Sequence, residues 1–255
     1  MDNPMDYPLL VFVLSFVVLW LSARIGTSVL RRRRKLEEGA REDFSVILAA
    51  TLTLLGLIIG FSFSMAISRY DQRKNFEEAE ANAIGTEYAR ADLLPVADAA
   101  KVRALLRAYL DQRVRFYTTR DGQQIRQINA RTAQLQTELW SAVLAPAAAQ
   151  PTPVMALAVS GMNDVLNAQG YTQAAWWNRI PIAAWLLMAA IAICCNVLLG
   201  YGARNVKPDG VLLMAIPFVV AISFFLIADI DSPNGGVIRV HPQNLEAVVE
   251  SLRAP

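Results

Sequence analysis

Four stretches of this chain, 8–30, 45–68, 180–200 and 210–228, are apolar over the length that a helix needs to cross a bilayer. A span requires ~20 mostly apolar residues, and charge inside it is expensive. No Asp, Glu, Lys, Arg or His occurs in 45–68, 180–200 or 210–228. The first stretch is uncharged through Ala23, and Arg24 is placed to reach the headgroups. Its leading residues carry Asp2 and Asp6 but no base, and Arg31 to Lys35 follow it without a small-residue cleavage site, so it reads as a retained span rather than a signal peptide. Pro217 marks a kink in the fourth. With 55% of residues hydrophobic and 18% charged, the chain is too apolar for an ordinary soluble domain. The expected fold class is an all-α membrane protein with four transmembrane helices and a helical extramembrane bundle between the second and third.

The division that follows is 8–68 for spans one and two with a basic connecting loop, 69–179 for the bundle, 180–228 for spans three and four, and 229–255 for a C-terminal turn and short amphipathic helix. In the bundle, Leu105, Leu106, Tyr109, Leu110 and Val114 form one apolar stripe. Ile125, Ile128, Leu135, Leu139 and Val143 form another, and Asp121-Gly122 makes the turn between them. A break is expected from Pro146, a third helix over 152–168, and a last short helix over 243–252.

Several chemistries are excluded. The single histidine, His241, and two adjacent cysteines, Cys194 and Cys195, leave no material for a zinc site or a His-centred triad. No cofactor, no metal and no catalytic residue is expected, and the chain does not read as an enzyme. A net charge of +2 gives no basis for nucleic-acid binding. The lack of an ionisable group at depth argues against a proton- or ion-coupled transporter.

The second span does not stop at the membrane surface. From Gly60 to Pro95 nothing breaks the helix, while the composition changes from hydrocarbon to a dense mixture of Arg, Lys, Glu and Asp. A helix over 45–94 would be ~75 Å long. Arg73 and Glu77, and Lys74 and Glu78, are four apart, a spacing worth ~0.3–0.5 kcal/mol per pair. Glu77, Glu80 and Arg90 are expected in a polar network between helices, with Arg73 near it. Within the apolar part, Thr53, Leu57, Phe61, Ser64 and Ser68 recur at spacings of four, four, three and four and share one face. That face is apolar in the middle and hydroxyl-lined toward the charged end, and a pore narrowed by apolar rings would gate by dewetting. One helix cannot enclose a pore, so the pore reading needs an oligomer. Arg69 and Arg73 would stand at its mouth.

The residues GFSFSMAISRY, Gly60 to Tyr70, resemble the pore-helix segment of bacterial bestrophins, and Glu77, Ala81, Gly85 and Thr86 continue the likeness. IDSPNGG, Ile230 to Gly236, is similar to the turn after their last membrane helix. The 68–95 segment and DIDSPNGGVIRV resemble more closely still the bestrophin-like domain family of bacterial and plant membrane proteins. The resemblance implies a homo-oligomer, a pentamer in bestrophins, that conducts small inorganic anions through lipid. It places the neck at Thr53, Leu57 and Phe61, where Thr53 departs from the apolar type. Asn234 stands where the turn has Phe, and Asp229, Asp231 and Asn234 are too few for a calcium cage. The alternative reading is a non-conducting membrane sensor or interaction module.

Orientation follows from charge. RRRRKLEEGAR, with six Arg or Lys in eleven residues, is the most basic segment, and Arg204 and Lys207 join it from the third loop. The positive-inside rule puts 31–44 in the cytoplasm of a bacterial inner-membrane protein and the helical middle on the opposite side. Bestrophins hold their helical middle in the cytoplasm, so the two arguments oppose one another, and the local charge is followed here.

Overall fold

The computed structural model describes residues 6–30, 39–203 and 210–253. The basic segment 31–38, and Arg204 and Lys207, lie outside the described residues. Every regular element described is helical: α1 (Pro8–Ile25), α2 (Ala40–Arg90), α3 (Val96–Thr118), α4 (Gly122–Ala149), α5 (Pro153–Trp177), α6 (Ile182–Gly202), α7 (Val211–Asp231) and α8 (Gln243–Ser251). A π-turn over Gly26–Leu30 extends α1, and a 3-10 turn over Ala91–Leu93 closes α2. Four helical stretches, which contain α1, the apolar part of α2, α6 and α7, are long and apolar enough to cross a membrane.

Local sequence explains most of these limits. Asp121 accepts a bond from the amide of Gln123 and starts α4, and Thr152 does the same for α5 through Met155. Pro8 and Pro153 sit in the first turns of their helices, where an amide would be unpaired in any case. Two ends differ from the sequence expectation. α4 passes through Pro146 to Ala149, because a proline in the last turn forfeits only one bond of the ladder. α5 runs past residue 168 to Trp177, since Thr172, Ala175 and Trp176 are buried and packing overrides the low propensity of Gly170.

The chain divides into two compact units, and α2 contributes to both. One contains the residues up to Arg69 and Arg179–Arg239; the other contains Tyr70–Asn178 and the residues from Val240 onward.

In the first unit, α1 packs on α6 and α7. Lipid offers no hydrophobic drive between helices, so close contact depends on small residues and shape. A Cβ built on Gly200 would overlap the carbonyl oxygen of Ala23, so α1 and α6 approach backbone to backbone there. Nearer the start of α1, Phe12 meets Phe218 and Phe225 edge-on at 6.0 and 6.3 Å, and Phe16 meets Phe218 at 6.2 Å. The Arg24 guanidinium lies over the Trp20 ring at 5.0 Å. After α7 the chain turns under its own carboxylates. Both Asp229 oxygens accept amide bonds, from Val237 and Ile238, each at 2.8 Å. Asp231 accepts the Ile180 amide at 3.1 Å and pairs with Arg69 and Arg179 at 3.5 Å.

The second unit is a helical bundle built from the remainder of α2 with α3, α4, α5 and α8. Its core includes Ile84, Leu106, Tyr109, Leu110, Leu135, Leu139 and Met162, and an aromatic group of Phe116, Tyr117 and Trp176 closes one side.

The α1–α6 contact yields a direct test. Gly200→Val should force the two backbones apart and cost about 1–3 kcal/mol. The expected result is a lower melting temperature in detergent, measured by intrinsic fluorescence, with an unchanged value for Gly39→Ala, which has open space around it.

Candidate functional site

The face of α2 defined by Thr53, Leu57, Phe61, Ser64 and Ser68 is exposed at all five positions, while Leu55, Ser62 and Ala66 on the opposite side are buried. Leu57 and Phe61, large apolar residues, are 53% and 64% exposed. Of the stretches able to cross a membrane, the one in α2 has the smallest buried share, 6%. The covered side is held to α6: Phe44 meets Tyr201 edge-on at 5.6 Å, and the Cys195 thiol reaches the Thr51 carbonyl at 3.4 Å. The Thr53 hydroxyl donates to the carbonyl of Ala49 at 2.9 Å, so this position presents its methyl group and a satisfied oxygen.

Arg69 and Arg73 do not lie on that face. The Arg69 side chain is 15% exposed and paired with Asp231. Arg73 is 2% exposed and donates to the carbonyl of Ala175 at 3.4 Å. Helical phase explains both positions. At ~100° per residue, Arg69 falls about 120° and Arg73 about 160° from the line through Leu57.

Glu77, Glu80 and Arg90 each meet a different partner. Glu80 is fully buried beside Arg113, which is also fully buried. Its carboxylate takes the Nε–H of Arg113 and further bonds from Arg113 Nη2 at 3.4 Å, the Thr172 hydroxyl at 3.1 Å and the Tyr117 hydroxyl at 3.5 Å. Arg113 also lies over the Phe116 ring at 4.5 Å. One carboxylate thereby joins α2, α3 and α5. Glu77 caps α8 from another helix: it accepts the amides of Asn244 and Leu245 at 3.0 and 2.9 Å and the Asn244 side-chain amide at 2.6 Å. A carboxylate there satisfies first-turn donors and complements the helix dipole. Arg90 faces Asp164 of α5 at 4.0 Å, in a half-exposed pair that adds little stability.

Glu87 carries no spacing or charge signal that sets it apart in the sequence. It is fully buried, and among the described residues neither carboxylate oxygen has a hydrogen-bond partner. Gly161 of α5 lies directly against it, and a Cβ there would overlap Glu87 and Arg90. Burial raises the Glu87 carboxyl to about 8; Arg90 on the same helix opposes the shift and Asp164 from α5 adds to it. A helical wheel could have shown Glu87 near the covered side, but Gly161 is 74 residues away and carries no charge signal.

The raised carboxyl has a sign that can be checked. In the unfolded chain Glu87 loses its proton near its ordinary value of 4.5, whereas the folded unit keeps it up to about 8. Its contribution to stability therefore falls as pH rises from about 4.5 to about 8. Glu87→Gln should flatten that slope and leave the protein more stable than wild type at pH 8, by about 1 kcal/mol or more, as read from melting temperature against pH.

Residues 9–245 match the family described as the bestrophin-like domain. Among solved structures, two of a bacterial bestrophin homologue from Klebsiella pneumoniae are similar throughout. The first is 14% identical, with a TM-score of 0.65, and the match covers 94% of this chain and 96% of that one. The second, a variant with one tyrosine replaced by alanine, is 13% identical, with a TM-score of 0.67 and coverage of 94% and 97%. No curated protein matches. The structural likeness carries the fold, and the family match spans α1 to the start of α8: the chain is a multi-pass membrane protein that belongs to the bestrophin-like domain family.

Proposed function

We propose that the chain is one subunit of an oligomeric membrane ion channel in which α2 lines the pore. The observation that carries this reading is the bare face of α2. Five residues at helical spacing stay exposed on a helix whose other side is packed. Along it, Ser64 and Ser68 on one side and the back-bonded Thr53 on the other flank the two apolar residues. Around a shared axis, Leu57 and Phe61 would form the apolar neck, with Thr53 on one side and Ser64 and Ser68 on the other. Such a neck gates by losing its water. The bestrophin homologues among the structural neighbours and the family resemblance support an assembly about an axis, with five copies as the expected number.

The resemblance also implies anions. Within this chain that implication leaned on Arg69 and Arg73, and both are engaged away from the bare face. Small inorganic anions remain the proposed cargo, on the resemblance alone. The charge of 31–44 supports a cytoplasmic location for that loop, with the helical unit between α2 and α6 on the far side of a bacterial inner membrane.

In liposomes loaded with potassium chloride, the purified protein should pass ions, and Leu57→Ala or Phe61→Ala should raise flux severalfold by wetting the neck. Equal impermeability of wild type and both variants, or a monomer by native mass spectrometry, would replace the channel with the sensor or interaction module. For orientation, Gln123→Cys in a background lacking Cys194 and Cys195 should react with a membrane-impermeant maleimide in intact cells. Gln123 is exposed, so protection until lysis would reverse the topology.

A further inference from the structure

Three acids of α2 are fully buried in the helical bundle, and Glu87 differs from the other two. Glu77 takes donors from α8, and Glu80 takes them from α3 and α5. Among the described residues Glu87 takes none. A Cβ on Gly161 would overlap Glu87 Oε2 and Arg90 Nη1 alike. The backbone of α5 therefore lies against the carboxyl, with the arginine head beside the same point. The charged groups that act on Glu87 are Arg90 of its own helix and Asp164 of α5. From the other elements of the bundle, α4 has no charged residue beyond Glu138. Arg103 and Arg107 of α3 are engaged by Asp92 and by Tyr88, and Glu246 and Glu250 of α8 are exposed.

A carboxyl buried without donors is stable only with its proton. Once ionised, its oxygens need donors, and two sources are at hand. Water reaches them only if α5 moves off α2 at Gly161. Arg90 turns to them only by giving up Asp164, which it faces at 4.0 Å. Either response loosens the contact between the two helices. We propose that the α2–α5 contact at Gly161 is a proton-held joint, closed while Glu87 is protonated and opening locally, as Arg90 passes from Asp164 to Glu87, once that proton leaves to solvent. The joint lies wholly within the helical bundle and does not depend on α2 lining a pore. Burial sets its opening as pH rises through about 8, with Asp164 moving that point up and Arg90 moving it down. The bundle thereby responds to alkaline conditions on whichever side of the membrane it stands.

Hydrogen exchange of the full chain in detergent reads the joint directly, followed by mass spectrometry from about pH 6 to about pH 9 and corrected for intrinsic amide rates. Protection over 84–91 and 156–168 should fall severalfold as pH passes about 8, while 106–116 and 128–139, where α3 packs on α4, keep theirs. Glu87→Gln, which cannot ionise, should stay protected throughout. Asp164→Asn removes a charge that raises the carboxyl and should move the midpoint to lower pH, a change that packing alone would not give. Gly161→Ala should leave both segments exchanging fast across the whole range, because its Cβ overlaps Glu87 and Arg90. If that variant does not fold, Glu87→Gln and Asp164→Asn decide. Constant protection in the wild type, a loss that persists in Glu87→Gln, or a loss spread evenly over the bundle overturns the proposal.

Discussion

A buried carboxylate is tolerable where donors reach it, as at Glu77 and Glu80 of α2, or where it keeps its proton, as at Glu87. The helix runs 51 residues without a break, about 75 Å at 1.5 Å per residue. Along its covered side, Glu77 and Glu80 are fully buried, each satisfied by a different element. Glu80 takes Arg113 and Tyr117 from α3 and Thr172 from α5; Glu77 takes the first turn of α8. Removing one partner of such a pair strands a charge, which costs far more than the pair contributes in place. Within the helical bundle these contacts fix which side of α2 is covered.

The bare face of α2 has a simple physical grammar. Its middle is apolar at Leu57 and Phe61, and its shoulders carry hydroxyls at Thr53, Ser64 and Ser68. Water is least stable where the walls are apolar and most stable where ions gather, so a column of water along such a face is weakest at its centre. Hydrophobic residues exposed over a patch of this kind mark a surface that is covered in the assembled protein or in lipid.

Much of this was legible in the sequence. Four apolar runs and a helical middle follow from length and periodicity, because those signals are local. The exposed row from Thr53 to Ser68 follows from spacing alone. Spacing would also have shown that Arg69 and Arg73 lie off that row; their nearness in sequence to the end of the apolar run concealed it. The partners of the buried acids were not legible. Glu80 and Arg113 are 33 residues apart and Glu77 and Asn244 are 167 apart, and no periodicity links them. Glu87 against Gly161 is harder still, since a glycine announces neither charge nor polarity.

The carboxylate of Asp231 has a consequence for biogenesis. It neutralises Arg69, which precedes it by 162 residues. At elongation rates of ~5–20 residues per second, roughly 10–30 s separate the synthesis of the two. Through that interval the guanidinium stands at the end of a newly inserted span without its intramolecular counterion, and anionic lipid headgroups are the nearest substitute. The membrane unit can reach its final charge balance only when α7 has left the ribosome, so its last helix to be made is the one that locks the second.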